Sequence, residues 1–177
     1  MVSRGDLCYL PAMSKAVCMT CQKPKAALAC GVCEESVCKY CAQFLDEERF
    51  SFLAKIPKDL SHSVYCNPCF ETKVVPEMAS YDDAKERAKD IYVFYTTDKK
   101  ESRLFKRLEE PFKVLNCADR EETLLRLAFF TAKANFNAIV DVDITYEKVR
   151  NGAYQTMTWN GTGIPTQIRS DKIKKDW

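Results

Sequence analysis

The stretch CGVCEESVCKYC carries four cysteines within twelve residues, Cys30 to Cys41. They form two pairs with two residues between partners, Cys30/Cys33 and Cys38/Cys41. Cys18/Cys21 repeats that spacing upstream, and Cys66/Cys69 repeats it downstream. Of the 10 cysteines in 177 residues, only Cys8 and Cys117 fall outside these pairs. Two intervening residues make a tight knuckle whose thiolates face one metal ion, and two knuckles complete a tetrahedral shell. Repeated pairs of this kind read as zinc sites, so eight paired cysteines predict two zinc ions. Disulfides are the competing chemistry, but they belong to small secreted scaffolds headed by a signal peptide. The opening segment MVSRGDLCYLPAMSK has neither the apolar run nor the cleavage site of such a leader. Cys117 alone serves the second half, so cysteines cannot staple the whole chain.

Four residues, Glu34 to Val37, separate the second pair from the third. So short a connection makes it hard to turn both knuckles onto one ion. Alternation is favoured: Cys18, Cys21, Cys38 and Cys41 on a first zinc, and Cys30, Cys33, Cys66 and Cys69 on a second. Such cross-bracing ties distant segments together without a large core. Each structural zinc contributes on the order of 10–16 kcal/mol in zinc-finger peptides. Four thiolates leave no open position for water, so no catalysis is expected at these metals.

Other chemistry-bearing residues are few. Asp141, Asp143 and Glu147 alternate along one predicted strand, and hard cations favour such oxygen ligands. A solvated strand face gives the same pattern, and that is the expected reading here. His62 is the only histidine, and with eight cysteines filling eight ligand positions it is expected in a surface loop. Cys8 and Cys117 are expected to be ordinary thiols. No Ser-His-Asp, Cys-His or phosphate-loop constellation is present, so the chain is not expected to be an enzyme.

The elements that must position these residues are partly legible. After Cys41, AQFLDEERFSFLAKIPKDL places Phe44, Leu45, Phe50, Phe52, Leu53 and Ile56 so as to predict a short helix on the zinc core, ended by Pro57. Past Pro76, Ser80 is a candidate N-cap with Asp82 and Asp83 in the first turn, and Ala84 and Ala88 give a narrow apolar face. IYVFYTT and PFKVLNC read as strands. ADREETLLRLAFFTAKANF reads as a helix capped by Asp119 with Glu122 as capping-box partner. Leu125, Phe129, Ala132 and Phe136 form its expected buried stripe, with Arg126 and Lys133 away from it. AIVDVDITYEKV predicts a strand with Val140, Val142, Ile144 and Tyr146 on one face. Ile139, Asp141, Asp143, Thr145 and Glu147 take the other. Asn151-Gly152 signals a hairpin turn, and AYQTMTWNGTG returns as the partner strand.

The organisation that follows is a finger at residues 1–75, a linker helix at 76–90, an α+β domain at 91–168 and a charged tail at 169–177. The expected fold class is α+β: a small cross-braced two-zinc finger, then a two-layer domain of antiparallel sheet and helix. Split at residue 75, each part carries a net charge of +1, which gives no basic excess for nucleic acid. No apolar run reaches the roughly 18 residues that span a bilayer. Eight metal-binding thiols predict a reducing, cytoplasmic setting.

The order of pairs, C-x2-C-x8-C-x2-C-x4-C-x2-C and then C-x2-C after 24 residues, resembles the FYVE zinc finger. VYCNPCF resembles that family's last knuckle, SVCKYC its third, and LAKIPKDL its loop before the last pair. The resemblance covers about residues 14–75 and implies a cross-braced two-zinc fold. RING fingers, the near alternative, usually place a histidine among the central ligands. FYVE fingers that bind phosphatidylinositol 3-phosphate carry a basic, histidine-rich run at the third cysteine. Here AALACG stands there, uncharged, and the family's N-terminal Trp-x-x-Asp motif is missing. Phosphate recognition needs cationic donors. Specific phosphoinositide binding is therefore not expected, and Lys15, Lys23 and Lys25 read as solvated surface lysines.

The second domain resembles the YbjQ family, described as putative heavy-metal-binding. Asn137-Ala138, Val142-Asp143-Ile144 and Gly161-Thr162-Gly163 carry the resemblance, which covers roughly residues 91–168. The family's glycine-rich middle is replaced by KKESRLFKRLEEPFKV. The resemblance implies a closed homo-oligomeric ring, commonly a pentamer. The expected function is a noncatalytic zinc-binding adaptor for a protein partner that the sequence does not name. A peripheral phosphoinositide-binding module and a RING-like ubiquitin-ligase finger are the alternatives.

Overall fold

The computed structural model describes residues 16–98, 105, 107, 109–152 and 154–169, and it divides into two units, residues 1–76 and 77–177. Cys8, Lys15, most of the KKESRLFKRLEE segment and nearly all of the 169–177 tail lie outside the described residues.

The first unit is built from very short elements. β1 (Leu28–Ala29) pairs antiparallel with β2 (Ser36–Val37), and β3 (Gln43–Phe44) pairs antiparallel with β4 (Val64–Tyr65). Two-residue strands cannot hold a fold by themselves. Their role is to aim the knuckles, since β1, β2 and β4 each lead directly into a cysteine pair. The helix expected after Cys41 does not form. β3 occupies its start, and single 3-10 turns at Glu47–Phe50 and Lys58–Leu60 replace the rest. Leu45, Phe50 and Leu60 are still buried, but Phe44 is 61% exposed. Burial here follows the knuckle scaffold and not a helical period.

Past Cys66, α1 (Asn67–Cys69) runs through a wide π turn at Phe70–Val74 into α2 (Val75–Ala88). Ser80 therefore lies inside α2 and caps nothing, which corrects the expected start. Proline ordinarily breaks a helix because it lacks an N–H and crowds the preceding turn. Here the turn ahead of Pro76 is widened, with the Val75 N–H donating to Phe70 O, and helical geometry continues. Tyr81, Ala84 and Ala88 form the buried face of α2. The Tyr81 ring lies 4.9 Å from that of Phe129.

In the second unit β5 (Tyr92–Tyr95), β6 (Phe112–Cys117), α3 (Arg120–Lys133), β7 (Ala138–Asn151) and β8 (Tyr154–Thr166) make one sheet and its helix. The strand order is β5-β7-β8-β6. β5 runs parallel to β7, so the sheet is mixed and not wholly antiparallel as expected. α3 joins β6 to β7 and keeps those two strands parallel as well, because a helix between strands returns the chain to the end where it started. Its N-terminus is capped as the sequence predicts: Asp119 Oδ1 accepts from the Glu122 N–H at 2.7 Å, and Glu122 Oε2 accepts from the Ala118 N–H at 2.7 Å. Its C-terminus closes on Asn135 at φ 63°, with the Phe136 N–H donating to Thr131 O at 3.0 Å.

The buried face of α3 is Thr123, Leu127, Ala128, Phe129, Thr131 and Ala132. Leu125, expected in the stripe, is 39% exposed. Thr123 and Thr131 are buried without penalty because their hydroxyls donate to Asp119 O and Leu127 O. Gly161 lets helix and sheet close, and Gly163 makes room for side chains of the neighbouring strand β7. A Cβ at Gly161 would lie 2.6 Å from Thr123 Cγ2, and one at Gly163 would lie 2.6 Å from Ile139 Cδ1.

The strict alternation expected in β7 also fails. Its register shifts between Val140 and Asp143, and Asp141 takes φ 52°. This bulge inserts one residue, so Ile139, Val142 and Ile144 reach the same core as Val114, Cys117 and Leu127. Beyond the core, β7 and β8 continue as a two-stranded hairpin to the pair Asn151↔Tyr154, with Gly152 at φ 63° in the turn. Among the described residues, no helix is long and apolar enough to cross a membrane.

Candidate metal centres

Each knuckle folds the same way. The carbonyl of its first cysteine accepts a hydrogen bond at 2.9 Å from the amide four residues on. The four bonds are Gln22 N to Cys18 O, Glu34 N to Cys30 O, Ala42 N to Cys38 O and Phe70 N to Cys66 O. That turn brings two sulfurs to one side of the chain. It also strains the backbone just after two of the pairs, where Gln22 at φ 57° and Glu34 at φ 63° take the left-handed region usually held by glycine.

Strand pairing then joins the knuckles. The β1–β2 hairpin carries Cys30/Cys33 at its turn and delivers Cys38 at its other end. The Met19 N–H donates to Ser36 O at 2.9 Å and docks the first knuckle beside the third. The Gly31 N–H donates to Val64 O at 2.9 Å and docks the second beside β4, which leads into the fourth.

The result is two sets of four sulfurs, Cys18/Cys21/Cys38/Cys41 and Cys30/Cys33/Cys66/Cys69, each with all its sulfurs within 4.8 Å of one another. Either set can hold a metal ion. Four sulfurs about 2.3 Å from a zinc ion at tetrahedral corners stand about 3.8 Å apart. Cys21 and Cys38 sulfurs are 3.8 Å apart, and Cys33 and Cys66 sulfurs are 3.7 Å apart. Both separations match a tetrahedral edge and far exceed the about 2.05 Å of a disulfide. All eight paired cysteines are free thiols.

The electrostatics point the same way. Backbone N–H groups of Cys21 and Cys38 directed at Cys18 outweigh its burial and bring that thiol down to about 6. Burial raises Cys30, but N–H groups of Cys33, Cys66 and Val32 outweigh it and bring Cys30 also to about 6. Neighbouring thiols move the other way. The sulfurs of Cys38 and Cys21 push Cys41 up to about 12. Burial, and then the adjacent sulfurs, raise Cys69, and burial raises Cys66. Crowded thiols cannot all ionise unless a cation offsets their mutual repulsion.

Zinc uptake by the metal-free chain at neutral pH is therefore expected to release protons, with Cys41, Cys66 and Cys69 among their sources. The ionised forms of Cys18 and Cys30 are favoured above about pH 6 and lost below it. Zinc affinity is expected to fall steeply as pH drops through that value. Calorimetry in buffers of different ionisation enthalpy measures both effects. Uptake without proton release would contradict the thiol arrangement.

The other candidate residues do not gather. Among the described residues, Asp141, Asp143 and Glu147 form no group of ligand atoms. The bulge takes Asp141 out of alternation, and Arg107 forms a two-point ion pair with it, Nη2 to Oδ1 at 2.9 Å. That guanidinium holds the Asp141 carboxyl below its ordinary value. Cys117 is buried in the core of the second unit. His62 is no ligand, yet it is half-buried. Its ring packs over Gly31 inside the second knuckle, where any added Cβ would lie 2.2 Å from His62 Cγ. Its backbone N–H donates to the Tyr65 hydroxyl at 3.2 Å. This contact was not foreseen from the sequence; the glycine within CGVC was its signal. At the segment AALAC, Ala27 and Ala29 are exposed, while Lys23 and Lys25 are exposed nearby in sequence.

Compared with known proteins, the chain matches no family model, no curated protein and no solved structure.

Proposed function

We propose that this chain is a noncatalytic zinc-binding interaction protein. In this reading a FYVE-like finger without its lipid headgroup site is joined to an oligomerising YbjQ-like α+β domain. The observation that carries it is the pair of four-thiol sets, interleaved in sequence and spaced for tetrahedral metal. Zinc suits them better than calcium or magnesium, which take oxygen ligands. Shells closed by protein sulfur bind no substrate, which supports a structural role for the metals. A reducing, cytoplasmic setting keeps such thiols available for metal.

Self-association is the second part of the reading. Tyr146, Val149, Tyr154 and Met157 are each at least 41% exposed on the outer part of the β7–β8 hairpin. Leu115 on β6 is also exposed. Large apolar groups exposed on both faces of a two-stranded ribbon favour burial against other surfaces. Light scattering on the zinc-loaded full chain is expected to give a homo-oligomer, and Tyr154→Lys with Met157→Lys to lower its mass. A monomeric native chain would remove the oligomer from this reading.

The same protein is expected to sediment no better with vesicles containing phosphatidylinositol 3-phosphate than with vesicles lacking it. The uncharged AALAC segment offers no cationic donor for the phosphate. Selective, saturable sedimentation would instead favour the membrane module.

A further inference from the structure

The two thiol sets are not equally sheltered. Cys18, Cys21, Cys38 and Cys41 are all buried or half-buried, as are Cys30, Cys66 and Cys69. Cys33 is the one exposed member of the eight. Its sulfur lies 3.7 Å from that of Cys66, a buried neighbour placed to react with it. Glu34 and Glu35 follow Cys33 directly, and both are exposed. Their charges repel anionic oxidants such as glutathione disulfide but not a small neutral one.

From this geometry we infer that Cys33 is an oxidation site for a neutral peroxide, and that its reaction opens the second metal centre while leaving the first closed. The inference rests on the zinc reading above. The chemistry runs in two steps. The Cys33 thiolate attacks one peroxide oxygen, the O–O bond breaks and hydroxide leaves, giving a sulfenic acid. The Cys66 thiolate then attacks the Cys33 sulfur, an S–S bond forms, the S–O bond breaks and a second hydroxide leaves. Two thiolates are oxidised by two electrons and one peroxide is reduced to two hydroxides. The second centre loses two of its four ligands and releases its ion. The first centre presents no exposed cysteine, so reaction there needs a larger opening of the fold. The segment at stake is specific. Gly31 is bonded to Val64 and Cys30 N donates to Glu35 O, so losing the second centre loosens the β1–β2 turn and the approach to α1.

The test uses the zinc-loaded full chain and hydrogen peroxide. Released zinc is followed with a chromogenic chelator, and disulfides are mapped by peptide mass spectrometry. One of the two bound ions is expected to leave first, together with a disulfide that contains Cys33, with Cys66 its expected partner. Cysteines of the first set should remain reduced, and glutathione disulfide should act several-fold more slowly than peroxide. Cys33→His keeps a zinc ligand while removing the nucleophile, so this variant should bind two ions and retain both at the same peroxide dose. If both ions leave together, or the first disulfide lacks Cys33, the inference is overturned while the zinc reading stands. A chain that binds no zinc before peroxide is added overturns both.

Discussion

Cys30→Ser is expected to reduce the zinc content of the chain from two ions to one and to abolish cooperative folding around the second centre. Cys30 is 1% exposed and takes part in both features that hold that centre. Its sulfur completes the set with Cys33, Cys66 and Cys69, and its carbonyl anchors the knuckle through Glu34. Besides these sets the first unit has only a small apolar core, with Phe50, Leu60 and Tyr65 buried in it. Its strands are two residues long, and much of the packing around Cys18 and Cys38 is cysteine or small apolar residues. Metal bound at these sets would therefore add strongly to its stability, on the order of 10–16 kcal/mol per site in comparable peptides. Residues 77–177 contain none of the eight ligands, and their thermal transition should be unchanged. Elemental analysis with calorimetry measures both outcomes. A variant that keeps two ions, or that unfolds both units together, would contradict this division of labour.

The second large effect lies in α3. Leu127→Ala is expected to cost about 2–5 kcal/mol, because the side chain is fully buried and packs with Val114, Ile139 and Val142. Its methyl groups also fill the space above Gly161, where the Leu127 Cδ1 would stand 3.0 Å from an added Cβ. Leu125→Ala, two positions earlier, is expected to cost less than about 1 kcal/mol, since Leu125 is 39% exposed. Urea denaturation of the two variants decides the matter. Equal losses, or a larger loss at Leu125, would show that α3 is rotated from the face described.

The contrast between Leu125 and Leu127 shows where sequence reading stopped. The helix itself was legible, because its cap residues Asp119 and Glu122 act locally and form their bonds as their spacing predicts. Its orientation was legible only in part: Phe129 and Ala132 are buried as expected, but buried Thr123 and Thr131 belong to the core face and are polar by type. Only their bonds to carbonyls one turn back make them acceptable there. In β7 the alternation was misread for a related reason. The bulge falls at Asp141, and nothing in DVDI announces that this aspartate takes a left-handed backbone. The parallel pairing of β5 with β7 depends on the path of the chain between them and not on either strand's own pattern.

The cysteine sets were the most legible feature, since their geometry is imposed over a few residues at a time. A two-residue gap, a hydrogen-bonded turn and a four-residue connection suffice to predict how the knuckles interleave. What the same local reading missed is the material between knuckles. Leu45, Phe50 and Leu60 are buried by the cross-braced loops around them, so no helical period organises them. Ser80 failed as a helix start because the helical turns begin at Asn67 and run on through Pro76.

The most direct test of the account is native mass spectrometry of the full chain purified under reducing conditions, before and after denaturation in acid. The account predicts a native mass carrying two zinc ions per chain, and a denatured mass carrying none, with all cysteines reduced. A native chain with no bound metal, or a denatured mass lowered by disulfide formation among the eight paired cysteines, would contradict it.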